Sequence, residues 1–426
     1  MSGSEEYVEL GKEKIEKKDI CLYKYEDGKF VGHLLEAKGK TKKHRVIKEK
    51  MEKEEYEKLK TEIDKKKKYP KLYIILNPFS GTKKGETIMK EIEEYLKSMG
   101  IIYTIQKTEY AGHEQEIAEK TDFSQYDVIV SGGGDGTLHS IINGVISQHK
   151  KEIPIISPLA CGSGNGVAYS LYKDNEPITG MCHIVCGEVT RIDGIILNHN
   201  KEKKKYYGIL QFEFSYLSSI DFESECIRWL GAFRFILWTL WYCVTLMTTK
   251  AKIKTKKYEM TNDGECGALC STCKNNKIKE IDYTKDIADQ IIQQHVNPDS
   301  SLSKNDGWEE LPYSSYCIYF FNNFTYGMPG IEFAHGAHRN DGFIDSWVLP
   351  GERATRWRFL GFWICAVLNL FVPNYISGFD YFRSTALSIR LQNDVIIGID
   401  GEKLPPGNSF DLYVAPGLYR TMLCTN

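Results

Sequence analysis

The sequence predicts an α/β fold class: an N-terminal parallel-sheet domain over about residues 71–191, then a β-sandwich-like domain over 192–426, with a lysine-rich extension at 1–70 in front. Three observations carry this. Apolar strand-like runs, polar loops and helix-spaced patterns follow one another three times between Leu72 and Leu171. The polar loops hold glycine, as the carboxyl-end loops of a parallel sheet do when they face a ligand. From Ile192 onward the pattern changes to short apolar strands.

The elements follow in order. Cys21–Tyr25, Gly28–Phe30 and Val31–Leu35 read as a hairpin, and Tyr56, Leu59 and Ile63 form a helical stripe within Lys48–Lys68. The run Lys65–Lys68 reads as a solvated linker, with an anionic membrane surface as the rival use. Leu72–Leu76 is a strand ending in Asn77-Pro78-Phe79-Ser80-Gly81-Thr82-Lys83-Lys84-Gly85, and a helix is expected over Thr87–Lys97. Asp127–Val130 is a second strand, followed by Ser131-Gly132-Gly133-Gly134-Asp135-Gly136-Thr137 and a helix through Leu138, Ile141, Ile142 and Val145. Pro154–Leu159 is a third, followed by Gly162-Ser163-Gly164-Asn165-Gly166 and the helical Val167–Leu171. In the second half, strands are expected at Ile192–Leu197, Tyr206–Phe214, Ser315–Phe321, Phe343–Val348, Leu387–Leu391, Val395–Ile399 and Phe410–Val414. One long helical pattern, Asp221–Met247, interrupts them. Residues 261–310 are polar, without apolar periodicity, and read as a long mobile insertion.

Composition narrows the class. At 426 residues with 42% hydrophobic and 26% charged, the chain suits a soluble protein of two or three cores. A net charge of -2 offers no field for nucleic acid. The start, Met-Ser-Gly-Ser-Glu-Glu, resembles neither a signal peptide nor a myristoylation site. The 12 scattered cysteines suit a reducing, cytoplasmic setting. Cys266, Cys270 and Cys273 form C-x3-C-x2-C with no evident fourth ligand nearby, so a loop of free thiols is favoured over zinc. The apolar stretches Phe233–Met247 and Phe359–Val372 are short of the roughly 20 residues that span a bilayer. Buried core helices are the plainer expectation; a hydrophobic pocket for a lipid chain is the other. Trp229, Trp238, Trp241, Trp357 and Trp363 around them suit a core, an acyl pocket or an interfacial surface.

The glycine loops carry the chemistry. Glycines after a strand and before a helix let backbone amides approach phosphate oxygens, and Asp135 is the one carboxylate in the Ser131–Thr137 run. A tight turn with a capping Asp would also fit. No loop ends in Gly-Lys-Ser/Thr, and none is G-x-G-x-x-G with an acidic residue at the offset that dinucleotide binding needs.

Asn77-Pro78, Gly133-Gly134-Asp135-Gly136, Gly162-Ser163-Gly164-Asn165 and the β-rich second half together resemble the diacylglycerol kinase-like lipid kinases, over most of Leu72 to the C-terminus. Within that family, Asp221-Phe222-Glu223-Ser224-Glu225-Cys226-Ile227-Arg228-Trp229-Leu230-Gly231-Ala232-Phe233-Arg234-Phe235 is similar to a sphingosine kinase segment.

The resemblance implies a nucleotide-binding domain at 71–191 and a lipid-binding domain at 192–426. It implies Asp135 as general base and Asp221 as the carboxylate for an amino-alcohol head group. Asn77, Pro78, Ser80, Thr108, His113, Gly133, Gly134, Gly136, Thr137, Gly162, Ser163, Gly164, Arg228, Arg234 and Glu402 would line the ATP site. Mg2+ would be carried through the phosphates, with Asp135 the candidate protein ligand. Asp400-Gly401-Glu402 would return to the cleft between the domains. The expected substrate is a sphingoid base, sphingosine or dihydrosphingosine, reached at a transient, peripheral membrane surface; a homodimer is left open.

Physical reasoning runs alongside. A primary alcohol needs a carboxylate to take its proton during attack on a γ-phosphate. An ammonium two carbons from that hydroxyl would reward Asp221, where diacylglycerol has no matching charge. The sequence departs from the family where Ser140 replaces the usual Glu after His139, and where Glu109–Gly112 lacks its arginines. Helical spacing does not aim Arg228 and Arg234 at one phosphate, and Asp221 also suits a helix N-cap. His139 reads as packed or surface rather than catalytic. Rival readings are a kinase of diacylglycerol or ceramide, a catalytically weak lipid-binding protein, and an NAD kinase.

Overall fold

The computed structural model describes residues 6–425, apart from 66, 82–84, 149–151, 231–232, 259–265, 277–280, 282–284, 296–306, 335, 369 and 371–375. Thr82, Lys83 and Lys84 of the first polar loop, and much of the 261–310 insertion, therefore lie outside the described residues.

The extension is a folded unit. Strands β1 (Tyr7–Leu10) and β2 (Glu13–Glu16) pair as a ribbon; β3 (Ile20–Glu26), β4 (Lys29–Lys38) and β5 (Thr41–Lys50) form an antiparallel sheet; α1 spans Lys53–Asp64. The expected hairpin is β3–β4, with β5 a third strand. Alternate β3 and β4 residues, Leu22, Phe30 and Leu34 among them, are buried against the α/β domain. Lys67 is no solvated linker residue: its ammonium donates to the Ile20 carbonyl.

The next region alternates β6 (Leu72–Leu76), α2 (Gly85–Met99), β7 (Tyr103–Lys107), α3 (His113–Lys120), β8 (Val128–Gly133), α4 (Asp135–Ser147), β9 (Ile155–Ala160), α5 (Gly166–Tyr172) and α6 (Pro177–Cys186). The strands are parallel in the order β7-β6-β8-β9. Both faces are covered, which is why Leu72–Leu76 is an unbroken apolar run. Leu72, Ile74 and Leu76 face α2, α6 and the N-terminal sheet; Tyr73 and Ile75 face α3 and α4. The order in which strands are added to the sheet reverses between β6 and β8, so a ligand crevice is expected at their carboxyl ends. Asn77–Gly81 and Gly132–Asp135 emerge there.

The second half comprises β10 (Glu188–His199), β11 (Lys204–Gly208), β12 (Gln211–Ser215), α7 (Tyr216–Phe222), α8 (Phe233–Thr245), β13 (Thr249–Tyr258), α9 (Ser271–Asn275), α10 (Ile287–Ile292), β14 (Glu309–Glu310), β15 (Ser315–Asn322), β16 (Tyr326–Met328), β17 (Ile331–Glu332), β18 (Ile344–Pro350), α11 (Arg356–Val367), β19 (Asp380–Ile399) and β20 (Glu402–Leu423). It is β-rich and largely antiparallel. The two halves share one sheet: β20 runs past the end of β19 and, still paired with β10 at Arg191 and Arg420, pairs parallel with β9 at Arg420 and Ile155.

Several local expectations change. The helical pattern Asp221–Met247 is not one helix. It breaks into α7, a 3-10 stretch at Ser224–Leu230 with Ile227 off helical geometry, and α8. Asp221 consequently lies near the carboxyl end of α7 and is no N-cap. The two apolar stretches are not buried core helices. One side of α8 and α11 joins Tyr216, Phe333, Trp347 and Phe379 in an apolar layer over the sheet, while the other faces solvent. Trp229 and Trp357 are 80% and 81% exposed. The C-x3-C-x2-C loop is not a set of isolated thiols: Cys266, Cys270 and Cys273 gather around His338, which arrives from the segment before β18. A ligand 65 residues away leaves no spacing signature. Among the described residues, no helix is long and apolar enough to cross a membrane.

Candidate active site

Three loops meet at the carboxyl ends of β6, β8 and β9, and glycine is what lets them meet. A Cβ on Gly162 would lie 2.3 Å from the Cα of Gly134, and one on Gly134 would lie 2.7 Å from the Gly164 carbonyl oxygen. Gly81, at φ +56°, packs its Cα face against Gly162. Asn77 N–H donates to the Gly132 carbonyl at 2.9 Å, and its side-chain amide reaches the Thr137 hydroxyl at 3.4 Å. A Cβ on Gly133 would strike that same hydroxyl. Pro78 and Ser80 complete the first loop, with Ser80 N–H on the Asn77 carbonyl. Ser163 is exposed at the tip of the third. That loop is clamped from within by Asn165, whose carbonyl accepts from Gly162 N–H at 3.0 Å and whose amide donates back to the Gly162 carbonyl at 2.9 Å.

Asp135 opens α4 beneath this junction and is buried. Its two oxygens accept from the Gly166 and Val167 amides, at 2.7 and 3.0 Å, at the start of α5. The carboxylate thus ties the second loop to the helix after the third. Burial pushes its carboxyl up to about 6, against the pull of those amides, and the charge on Asp400 adds to the rise.

The Asp-Gly-Glu near the C-terminus does reach this crevice. Asp400, at φ +53°, is buried and accepts from the Ile209, Leu210 and Gln211 amides at 2.9, 2.8 and 3.0 Å. It also faces His139 Nδ1 at 3.0 Å. His139 on α4 is therefore an interdomain latch, and Asn143 extends it by exchanging hydrogen bonds with the Tyr207 backbone. Two residues on, a Glu402 oxygen sits over Gly136, 2.1 Å from where a Cβ would be. Glu402 reaches solvent and makes no side-chain hydrogen bond among the described residues. Desolvation in the crevice raises its carboxyl, against the pull of His139.

Thr108 follows β7, its N–H on the Leu76 carbonyl at 2.9 Å; its buried hydroxyl has no partner among the described residues. His113 accepts from Glu109 N–H at 3.1 Å and stacks on Tyr110 at 4.4 Å between centroids.

Asp221 is half-buried and not alone. Glu213 of β12, fully buried, hydrogen-bonds it and is held well above the usual carboxyl range by burial first and by the Asp221 charge second. The Asp400 charge acts on Asp135 and on Glu213 alike, raising both carboxyls. Arg234 begins α8, which packs on α7, the 3-10 stretch and α11. The side chain of Arg228 lies outside the described residues.

Glu213, Asn165 and the His139–Asp400 pair were not legible as site residues. Glu213 sits in an ordinary alternating strand, Gln211–Ser215; the one available signal was an acid between Phe212 and Phe214, on the strand face opposite to theirs.

Residues 71–196 match the family model described as diacylglycerol kinase catalytic domain. Over that stretch the chain is similar to diacylglycerol kinase catalytic domains. Relatives agree: sphingosine kinase 1 of Arabidopsis thaliana is 28% identical over 65% of this chain and 56% of its own length. Sphingosine kinase 1 of Homo sapiens is 26% identical over 43% of this chain and 51% of its own length. The chain thus spans about half the length of these curated relatives. The fold extends beyond the matched domain. A solved diacylglycerol kinase from Bacillus anthracis str. Sterne superposes with a TM-score of 0.53 at 15% identity, covering 84% of this chain and 98% of that one.

Proposed function

We infer that the chain is an ATP-dependent lipid kinase that phosphorylates the primary hydroxyl of a sphingoid base to the 1-phosphate. The observation that carries the substrate class is the Glu213–Asp221 pair. Burial and the Asp221 charge raise the Glu213 carboxyl well above its usual range, which favours a single negative charge shared by the two acids. One charge matches one ammonium, and a neutral diacylglycerol or ceramide offers nothing in return.

The glycine junction suits ATP: three glycine loops gather at the carboxyl ends of β6, β8 and β9, where backbone amides can approach phosphates, and Thr108, its hydroxyl partnerless among the described residues, follows β7 at the same end of the sheet. ATP supplies the transferable phosphoryl group. Arg228 and Arg234 are carried as its cationic neighbours. Mg2+ would be carried through the phosphates, with Asp135 its candidate protein ligand and Glu402, over Gly136, a second acid in the crevice. Asp135, near neutrality, accepts the alcohol proton as attack proceeds. The exposed apolar sides of α8 and α11 support transient docking on a membrane, and the aromatic layer beneath them suits the lipid chain.

The test is transfer of labelled phosphate from ATP to sphingosine, dihydrosphingosine, diacylglycerol and ceramide, with Asp135→Asn as the blank. Labelled sphingoid 1-phosphate supports the reading. Equal or better transfer to the neutral lipids overturns the assignment of the acidic pair.

A further inference from the structure

The cluster Cys266, Cys270, Cys273 and His338 has no part in phosphoryl transfer. Its four ligand atoms are all buried and all lie within 4.8 Å of one another. Cys266 Sγ and Cys273 Sγ are 3.5 Å apart; His338 Nδ1 is 3.3 Å from Cys270 Sγ and 3.7 Å from Cys273 Sγ. A zinc ion with Zn–S of about 2.3 Å and Zn–N of about 2.0 Å in a tetrahedron demands edges of about 3.8 Å for S···S and about 3.6 Å for S···N. These three of the six edges agree within a few tenths of an ångström, and the other three are at most 4.8 Å. A disulfide would need sulfurs about 2.05 Å apart.

Charge gives an independent argument. Arg339 is 3% exposed, and no carboxylate pairs with it among the described residues. Its guanidinium donates instead to Cys266 Sγ at 3.8 Å and to the Gly267 carbonyl at 2.7 Å. Three neutral thiols leave that buried cation unbalanced. Three thiolates and one imidazole on a divalent zinc sum to one negative charge, which matches it.

We propose that Cys266, Cys270, Cys273 and His338 bind a structural zinc ion that fastens the insertion to the enzyme's body. All four positions come from protein, so no vertex is left for substrate, as in structural rather than catalytic zinc sites. Binding displaces the three thiol protons to solvent. The ion ties three parts of the chain together. Leu269 N–H donates to the Lys40 carbonyl in the β4–β5 turn at 3.0 Å. The Asn340 amide donates to the Cys273 carbonyl at 3.0 Å, on the segment that leads into β18. Ser170 and Leu171 of α5 line the small space beside Cys266 and Arg339. Helix α5 is the one whose first amides hold Asp135, so the knuckle braces the catalytic carboxylate from behind.

The test is metal content of the full chain, purified without a polyhistidine tag, added metal or chelator. Mass spectrometry of the metal is expected to find about one zinc per chain. Replacement by cobalt(II) should produce the thiolate charge-transfer band and the strong d–d absorption of a tetrahedral site. Cys270→Ser and His338→Ala should lose the metal and expose the insertion to proteolysis, while His338→Cys, a four-cysteine site, should keep it. Where a ligand variant fails to fold, the native protein's metal content and cobalt spectrum still decide. Native protein without stoichiometric zinc that also takes up no tetrahedral cobalt overturns the proposal; so does full zinc occupancy in a folded Cys270→Ser, His338→Ala double variant.

Discussion

Asp135→Asn separates catalysis from stability, because the structure sets two opposing terms on the same carboxylate. Burial raises the Asp135 carboxyl from 3.8 to about 6, a shift worth about 3 kcal/mol against the ionised fold at neutral pH. The sign follows from the direction. A carboxyl raised on folding leaves the protein most stable below the unfolded value, and that advantage is lost as pH rises through about 6. Asparagine removes the buried charge but keeps one oxygen for the Gly166 or Val167 amide, forfeiting one charge-assisted bond of about 1.5–3 kcal/mol. The terms nearly cancel at pH 7, so the variant should stay folded. Relative to the native chain it should gain stability between about pH 4 and pH 7. Phosphoryl transfer should fall by about 10²–10⁴, the usual share of a general base, and the acid limb of kcat/KM should vanish. Denaturant unfolding across pH, with kcat/KM on soluble sphingosine, reads both. Activity within a few-fold of native, or a loss of stability that removes the fold at pH 7, would refute the reasoning.

Other outcomes follow from the same geometry. Asp221→Asn should cut kcat/KM for sphingosine about 10–100-fold, as loss of a charged hydrogen bond does, with little change for diacylglycerol; Glu213→Gln should be milder, since burial already raises that carboxyl and favours its neutral form. Gly162→Ala should abolish ATP binding measured by calorimetry, because its Cβ would meet the Gly134 backbone at 2.3 Å and drive the loops apart. Trp229→Glu with Trp357→Glu should reduce cosedimentation with liposomes at least about tenfold while leaving turnover of a short-chain soluble substrate intact, since both rings are exposed.

The sequence alone determined what local pattern can carry. Unbroken apolar runs ending in glycine loops specified a parallel sheet and the end of it that matters, and Asp135 stood out as the sole carboxylate in its loop. Alternation from Ile192 specified the β-rich half, and Asp221 was found within an acidic string. What escaped depended on contacts between distant segments, which periodicity does not encode. Only folding brings Asp400 beneath the amides of Ile209–Gln211, through the β12–β19 pairing, or stands Glu402 over Gly136, where the two halves meet along β20 and β9. Glu213 becomes half of an acidic pair through burial beside Asp221, and burial is a property of the fold. The apolar character of α8 and α11 was visible in the sequence; which side meets solvent was not, since a helix apolar all round has no marked face. His338 is the plainest case: three cysteines advertise a ligand set, and only the tertiary structure supplies the fourth member from the far side of an insertion.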